Sequence, residues 1–243
     1  MKLSYIYSSR TGLRRSANED FVDVFEVDDG LLAVLCDGLG GNNAGEVASK
    51  LAVTTIYNYF LEHPKEEYLS KISSAIHEAN LALIQASDAN PEYKGMATTA
   101  VVLFINQSIA YWGHVGDSRL YFKDDKGILQ ISKDHSFVQK LLDDGYITEK
   151  EAENHPHKNV IMRALGDKSS IVVDHEGFSF DKSKRWKFLL CTDGVSNVLA
   201  KSDLDAMLKT DDLDAISRSF SQLIEDRGAP DNYSYVIISN QVH

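Results

Sequence analysis

Residues 31–36, Leu-Leu-Ala-Val-Leu-Cys, form an unbroken apolar run that stops at Asp37-Gly38. Such a run predicts a short buried strand. A carboxylate at the end of a buried strand is costly unless something compensates it, and a bound cation is one such compensation. The same device recurs along the chain. Residues 188–192 run into Asp193-Gly194, residues 109–116 run into Asp117, and Asp231-Asn232 precedes the apolar segment that begins at Tyr233. Read singly, each Asp-Gly is an ordinary turn. Four aspartates at strand edges in four distant segments, with glycine beside three of them, point instead to one shared site.

Composition narrows the partners. The chain has 243 residues, with 25 basic and 36 acidic side chains and a formal charge of −11. This disfavours nucleic acid, which calls for a basic face. It suits a chain that gathers carboxylates around divalent metal. Cys36 and Cys191 both fall in predicted buried strands, as expected of small core side chains in a reducing compartment rather than of a disulfide framework. The first ten residues lack the apolar core of a signal peptide, and no apolar run approaches the ~18 residues of a membrane span. The expected location is cytoplasmic.

Element by element, residues 2–9 and 21–27 predict strands, and Asp28-Asp29-Gly30 turns the second into the strand ending at Asp37. That hairpin brings Asp20 near Asp37. Helices are predicted over 45–60, with Val47, Leu51, Thr54-Thr55 and Tyr59 on one side, and over 66–86, ended by Asn90-Pro91. Hairpin strands follow at 98–105 and 108–115, joined at Asn106-Gln107, and at 120–123 and 128–132. The charged stretch at about 133–168 reads as a small inserted lobe. Strands at 171–180 and 186–191, helices at 201–209 and 213–227, and a strand at 235–239 complete the chain. This order predicts an α+β fold with antiparallel sheets, residues 1–243 forming one domain.

Aspartate and backbone carbonyl are hard oxygen ligands, suited to Mn²⁺ or Mg²⁺. Aspartates converging on one point can hold two ions ~3.5–4 Å apart, which activate a water for in-line attack on phosphorus. Arg15, just before Glu19-Asp20, is placed to grip a phosphate. Other phosphate chemistries fail on inspection. Residues 40–47 have P-loop glycine spacing, but Glu46 and Val47 replace the Lys and Ser/Thr. Residues 38–43 begin like a dinucleotide fingerprint, but Asn43 replaces the third glycine. Neither cysteine has an arginine six positions on, and no Asp-x-Asp closes an apolar strand. A metal-dependent phosphodiesterase would need a nucleotide pocket that no motif supplies.

The combination resembles the metal-dependent protein serine/threonine phosphatases of the PP2C (PPM) family, in their compact bacterial form. The pieces that carry it are residues 15–20 (RSANED), 34–41 (VLCDGLGG) with Gly45-Glu46, 96–101 (MATTAV) and 114–119 (HVGDSR). Further on come Asp134-His135-Ser136, residues 159–166 (NVIMRALG), residues 190–194 (LCTDG) and Asp231-Asn232. The resemblance implies a four-layer αββα sandwich with metals at one edge between the sheets. It implies that Asp37 bridges two ions, that the Gly38 carbonyl binds one, and that Asp193 and Asp231 complete the first. Glu19 and Asp20 would act mainly through metal-bound waters, Asp117 would hold a third, weaker metal, and Arg15 would bind the substrate phosphate. The lobe at about 133–168 would be the family's flap.

The sequence departs from the family where animal members place a histidine general acid, two residues after the bridging aspartate; Leu39 stands there. Where many bacterial relatives carry a histidine after Gly-Gly, this chain has Asn42, so no protein general acid is assigned. Ala97 replaces a frequent glycine. His114 and His135 are expected to be structural hydrogen-bonders near the cleft, and His155 and His157 surface residues of the lobe. The expected function is metal-dependent hydrolysis of phosphoserine and phosphothreonine in phosphoproteins, as part of bacterial signalling. A cognate serine/threonine kinase is the implied partner. The alternative is a catalytically silent relative that only binds a phosphoprotein; loss of the metal acids would mark it, and Asp37, Asp193 and Asp231 are all present.

Overall fold

A computed structural model describes residues 3–27, 29–40, 44–106, 109–168 and 171–241. Asp28 of the first predicted turn, Gly41, Asn42 and Asn43 of the glycine-rich stretch, and Gln107 and Ser108 of the second predicted turn lie outside the described residues. The described strands form two antiparallel sheets. One has the order β1 (Ser4–Arg10), β11 (Tyr233–Ser239), β10 (Lys187–Cys191), β7 (Arg119–Asp124), β8 (Gly127–Gln130). The other has the order β2 (Asp20–Val27), β3 (Gly30–Leu39), β5 (Ala100–Asn106), β6 (Ile109–Val115), β9 (Asp174–Ser179), and the short β4 (Ala97–Thr98) pairs with the end of β3.

The period-two alternation of the strands sorts their side chains into three cores. On β3, Leu31, Ala33 and Leu35 face the space between the sheets, where they meet Leu120, Phe122, Phe188, Leu190, Val236 and Ile238. Leu32, Val34 and Cys36 point the other way, into a core made with α1 (Ala44–Glu62) and α2 (Tyr68–Ala89). On the first sheet, Tyr121, Leu189, Cys191, Tyr235 and Ile237 face α6 (Lys201–Met207) and α7 (Leu213–Asp226). Both faces of the central strands are therefore covered, which is why they read as continuous apolar runs rather than as alternation. The layers are helix, sheet, sheet, helix, as the family resemblance implies.

One face was misassigned. The buried side of α1 is Ala48, Ser49, Ala52, Val53, Ile56 and Phe60. Val47, Leu51, Thr55 and Tyr59 are only half-buried and Thr54 is exposed. Small residues at 48, 49 and 52 let the helix lie close to the sheet, so the bulkier neighbours sit on its flanks. The second helix buries Ile72, Ala75, Ile76, Ala79 and Leu83, and Glu67 caps it by accepting hydrogen bonds from the Leu69 and Ser70 N–H groups at 3.1 Å.

The segment 133–168 carries α3 (Phe137–Asp143) and α4 (Glu149–Glu153). Its two ends are zipped together: Phe137 N–H donates to Val160 O at 2.9 Å, and Met162 N–H to His135 O at 2.7 Å. A second tie joins Leu165 to Thr98, with Leu165 N–H donating at 2.8 Å and Thr98 N–H donating back at 3.1 Å. His155 and His157 stack loosely about Phe137, with ring centres 6.0 Å away, as surface residues of the lobe.

Phe188 is fully buried between the sheets against Phe122, Trp186 and Phe180, with ring centres 5.0 to 5.4 Å away. Phe188→Ala is expected to cost about 3–5 kcal/mol of unfolding free energy in urea titrations, the usual cost of emptying an aromatic site in a core.

Candidate metal centre

The topology delivers acidic side chains to one end of the sandwich. The β2–β3 hairpin places Asp20 directly opposite Asp37. β10 ends one residue before Thr192-Asp193, β11 begins just after Asp231-Asn232, and Asp117 lies between β6 and β7. Arg15, Glu19, Asp37, Gly38, Asp117, Asp193 and Asp231 all line one cleft of about 270 Å³. Asn159 and Ile161 of the zipped lobe line its other wall. The sequence-predicted site residues are thus brought together. Asp20 alone sits beneath the cleft rather than on its wall.

Asp20 is buried in the space between the sheets. Its Oδ2 accepts hydrogen bonds from Ser234 Oγ at 2.7 Å and Thr192 Oγ1 at 3.0 Å. These two hydroxyls went unassigned in the sequence, yet strand alternation could have found them. Thr192 shares the inter-sheet face of Phe188 and Leu190, and Ser234 that of Val236 and Ile238. The three side chains tie the two sheets together under the acidic cluster.

Asp37 is fixed through its backbone. Its N–H donates to Thr99 Oγ1 at 3.0 Å, and its carbonyl accepts from Thr98 Oγ1 at 2.8 Å and Thr99 N–H at 2.9 Å. The following glycine is no turn residue: a Cβ on Gly38 would collide with the carbonyl oxygens of Gly45 and Glu19. The same holds at Gly194, where a Cβ would strike Asn232 O, so the segment after β10 can lie against the segment before β11. Asp193 opens the short helix α5 (Asp193–Ser196), which the sequence did not reveal, and its Oδ2 accepts from Asn197 Nδ2 at 3.0 Å. Asp231 Oδ2 accepts from Arg15 at 2.7 Å.

Asp117 is held from behind. Gly116 N–H donates to His135 Nδ1 at 3.1 Å and His135 N–H donates to Gly116 O at 2.7 Å. Arg119 grips Asp134 through Nε at 2.9 Å and a terminal nitrogen at 2.6 Å. His114 donates from Nε2 to Ser118 O at 2.8 Å, and burial lowers its pKa to about 3, so it is a neutral structural hydrogen-bonder. The cysteine thiols are inert: burial pushes Cys191 up to about 12 and Cys36 higher still.

The electrostatics ask for a cation. Burial, then the charges of Asp20, Asp193, Asp117 and Asp231, push the Asp37 pKa well above the carboxylate range. Burial raises Asp20 to about 7 against the pull of its two hydroxyl donors. Asp117 is raised to about 7 by burial and by Asp193, and Asp193 to about 6 by burial and by Asp231. Asp117 Oδ1 is buried without a hydrogen-bond partner among the described residues. Among the described residues, no group of three or more His, Cys, Asp or Glu side chains is spaced to hold a metal ion as it stands. An all-oxygen donor set, an orphaned buried carboxylate oxygen and acids that hold protons for want of a counter-charge fit Mn²⁺ or Mg²⁺.

Comparison with known proteins agrees with this geometry. A family model described as Protein phosphatase 2C matches residues 13–231. The serine/threonine phosphatase stp of Listeria monocytogenes is 35% identical over 204 residues, covering 82% of this chain and 80% of that protein. The serine/threonine protein phosphatase PstP of Mycobacterium tuberculosis is 32% identical over 97% of this chain, which spans 44% of PstP's length. The catalytic domain of PstP, solved in complex with two manganese ions, superposes with a TM-score of 0.85 at 31% identity, covering 97% of each chain. The chain belongs to the protein phosphatase 2C family.

Proposed function

We propose that this chain is a metal-dependent phosphatase that removes phosphate from phosphoserine and phosphothreonine in phosphoproteins. The observation that carries this reading is the convergence of Asp37, Asp117, Asp193, Asp231 and Glu19 on one cleft, with Arg15 on its rim. Retention of all these acids argues against a silent phosphoprotein-binding relative, and the two manganese ions in the PstP structure agree.

In this reading Asp37, the Gly38 carbonyl, Asp193 and Asp231 would hold the ions, and Glu19 and Asp20 would act through water from behind them. When bound, the ions supply Lewis acidity that makes water nucleophilic at neutral pH and neutralises charge on the phosphoryl group. The chain's own residues position and select. Thr98 and Thr99 hold Asp37 in register. Arg15 is anchored on Asp231 and half-exposed, so it can turn its free donors to a phosphate in the cleft. Asp117 would hold a third, weaker ion. No protein general acid is assigned: the side chain after Gly38 is Leu39, which cannot donate a proton.

Residues 133–168 are the flap of a single phosphatase domain, and Asn159 and Ile161 bring it to the cleft where a phosphoprotein would lie. A cytoplasmic setting with a cognate serine/threonine kinase completes the reading. No described helix is long and apolar enough to cross a membrane.

Phosphate release from matched phosphothreonine, phosphoserine and phosphotyrosine peptides tests the proposal. Release from the first two with Mn²⁺ and none in EDTA is the expected result; a folded protein that releases nothing at any metal concentration would overturn it. Asp37→Ala and Asp193→Ala are each expected to lower turnover by more than about 100-fold, beyond the 10–100-fold typical of residues that only orient metal ligands. Asp117→Ala should lower activity less and shift the Mn²⁺ titration to higher concentration; an unchanged titration removes the third site.

The acids also set a pH dependence. Asp20 and Asp117 keep their protons up to about pH 7 in the metal-free fold, whereas an unfolded chain releases them near pH 4. Between those values the folded state binds more protons, so stability falls as pH rises through that window. The melting temperature of the metal-free protein should therefore drop from pH 5 to pH 8, and Mn²⁺ should raise it more at pH 8 than at pH 5. Asp117→Asn should flatten the pH slope.

A further inference from the structure

The end of the sandwich opposite the acidic cleft holds a larger cavity, about 410 Å³, between the two edge strands β8 and β9. β7 and β10, antiparallel to each other, both span the distance between the two ends, so it lies a full strand length from Asp117 and Asp193. Its floor is aromatic: Phe122, Phe178, Phe180 and Trp186 line it. Phe180 meets Trp186 edge to face with ring centres 4.7 Å apart, and Phe122 lies 4.9 Å from Phe178. The buried indole Nε1 of Trp186 has no hydrogen-bond partner among the described residues. A buried N–H without an acceptor costs free energy unless a ligand or water supplies one.

The charged residues of the lining are Lys126, Lys184 and Arg185 against Asp124 and Asp181, in a chain with 25 basic and 36 acidic residues. Lys126 and Lys184 line the cavity and make no ion pair among the described residues. The third basic residue of the rim, Arg185, reaches Asp211 at 3.0 Å. The two acids of the lining are partly satisfied locally. Asp181 accepts from the Ser183 N–H and hydroxyl, and Asp124 accepts from the Lys126 N–H.

We propose that this cavity is a binding site for a small, flat aromatic anion, with its ring system against the floor of Phe122, Phe178, Phe180 and Trp186 and its carboxylate, sulfonate or phosphate at Lys126 and Lys184. The volume falls in the range of small-molecule sites, about 300–1,000 Å³, and is too small for a helix. Aromatic walls favour a planar body through stacked and edge-on contacts. The ammonium groups of Lys126 and Lys184 favour a negatively charged ligand over a neutral one. The site is independent of the metal cleft, and nothing in the reaction there requires it.

The test uses two dyes that share one ring framework, 8-anilinonaphthalene-1-sulfonate and its neutral counterpart N-phenyl-1-naphthylamine. Each is titrated into the Mn²⁺-loaded protein, with excess inorganic phosphate present to occupy the cleft. The expected result is one anionic dye bound per chain, with quenching of tryptophan emission and about tenfold weaker binding of the neutral dye. The pair Lys126→Glu and Lys184→Glu, both exposed, should weaken the anionic dye at least about tenfold and leave the neutral dye within about twofold. Phe180→Ala should weaken both dyes. Phosphatase activity and melting temperature of the charge-reversed protein should match the parent's, which separates loss of the site from loss of the fold. Equal binding of the anionic dye to the charge-reversed protein overturns the proposal, as does the absence of stoichiometric binding at millimolar dye.

Discussion

Everything at the functional end of this molecule depends on packing like charges together. Asp20, Asp37, Asp117 and Asp193 are each pushed toward neutrality by burial and by one another. A cluster of this kind opposes folding, so the rest of the structure must hold it in place. The covered faces of β3, β7, β10 and β11 do this through three separate hydrophobic cores. Hydrophobic burial is non-directional and cannot by itself place a carboxylate to within an ångström. The directional part comes from Thr98 and Thr99 at Asp37, from Thr192 and Ser234 at Asp20, and from His135 at the loop before Asp117. These hydrogen bonds come from hydroxyl and imidazole groups that are not themselves candidate cation ligands.

The glycines beside the acids belong to the same constraint. Asp-Gly pairs usually mark turns because glycine tolerates a left-handed backbone. Here Gly38 and Gly194 are needed for room. Gly38 lets the end of β3 touch Glu19 and the first turn of α1, and Gly194 lets the start of α5 touch Asn232. Both contacts pull segments distant in sequence against one another at the point where their aspartates must meet. Close backbone approach and carboxylate convergence are one requirement, which is why the two residue types recur together.

Much of this was legible in the sequence, for identifiable reasons. Asp37, Asp193 and Asp231 stood out because each interrupts or precedes an apolar run, and the register of the β2–β3 hairpin then fixed Asp20 opposite Asp37. The α+β class with antiparallel sheets followed from where the long helices fell among hairpin strands, and the four-layer order from the family resemblance. The face of α1 was misread because its contact with the sheet is made by Ala48, Ser49 and Ala52, which periodicity weighted by side-chain size undervalues. Helix α5 was missed because a four-residue helix has no period to detect. The zipper at the base of the lobe was illegible for a different reason: Phe137, Val160, His135 and Met162 are joined through their backbones, and backbone hydrogen bonds leave no mark on side-chain pattern.

That zipper changes what the lobe can be. An insertion tethered only at its ends would move freely over the cleft. In this molecule His135 is at once a member of the zipper, through its carbonyl to Met162, and the clamp on Gly116, through its ring and its N–H. Its Nε2 lies 3.1 Å from Asp174 at the start of β9 and 3.2 Å from Arg163 in the lobe. One side chain thus joins the base of the lobe, the edge of a sheet and the loop that carries Asp117. A displacement of the lobe's base would be felt at Asp117 through two hydrogen bonds, while the tip, around the exposed Tyr146, is separated from that path by α3 and α4. The base of the lobe, which also puts Asn159 and Ile161 on the cleft wall, therefore belongs to the metal end of the sandwich.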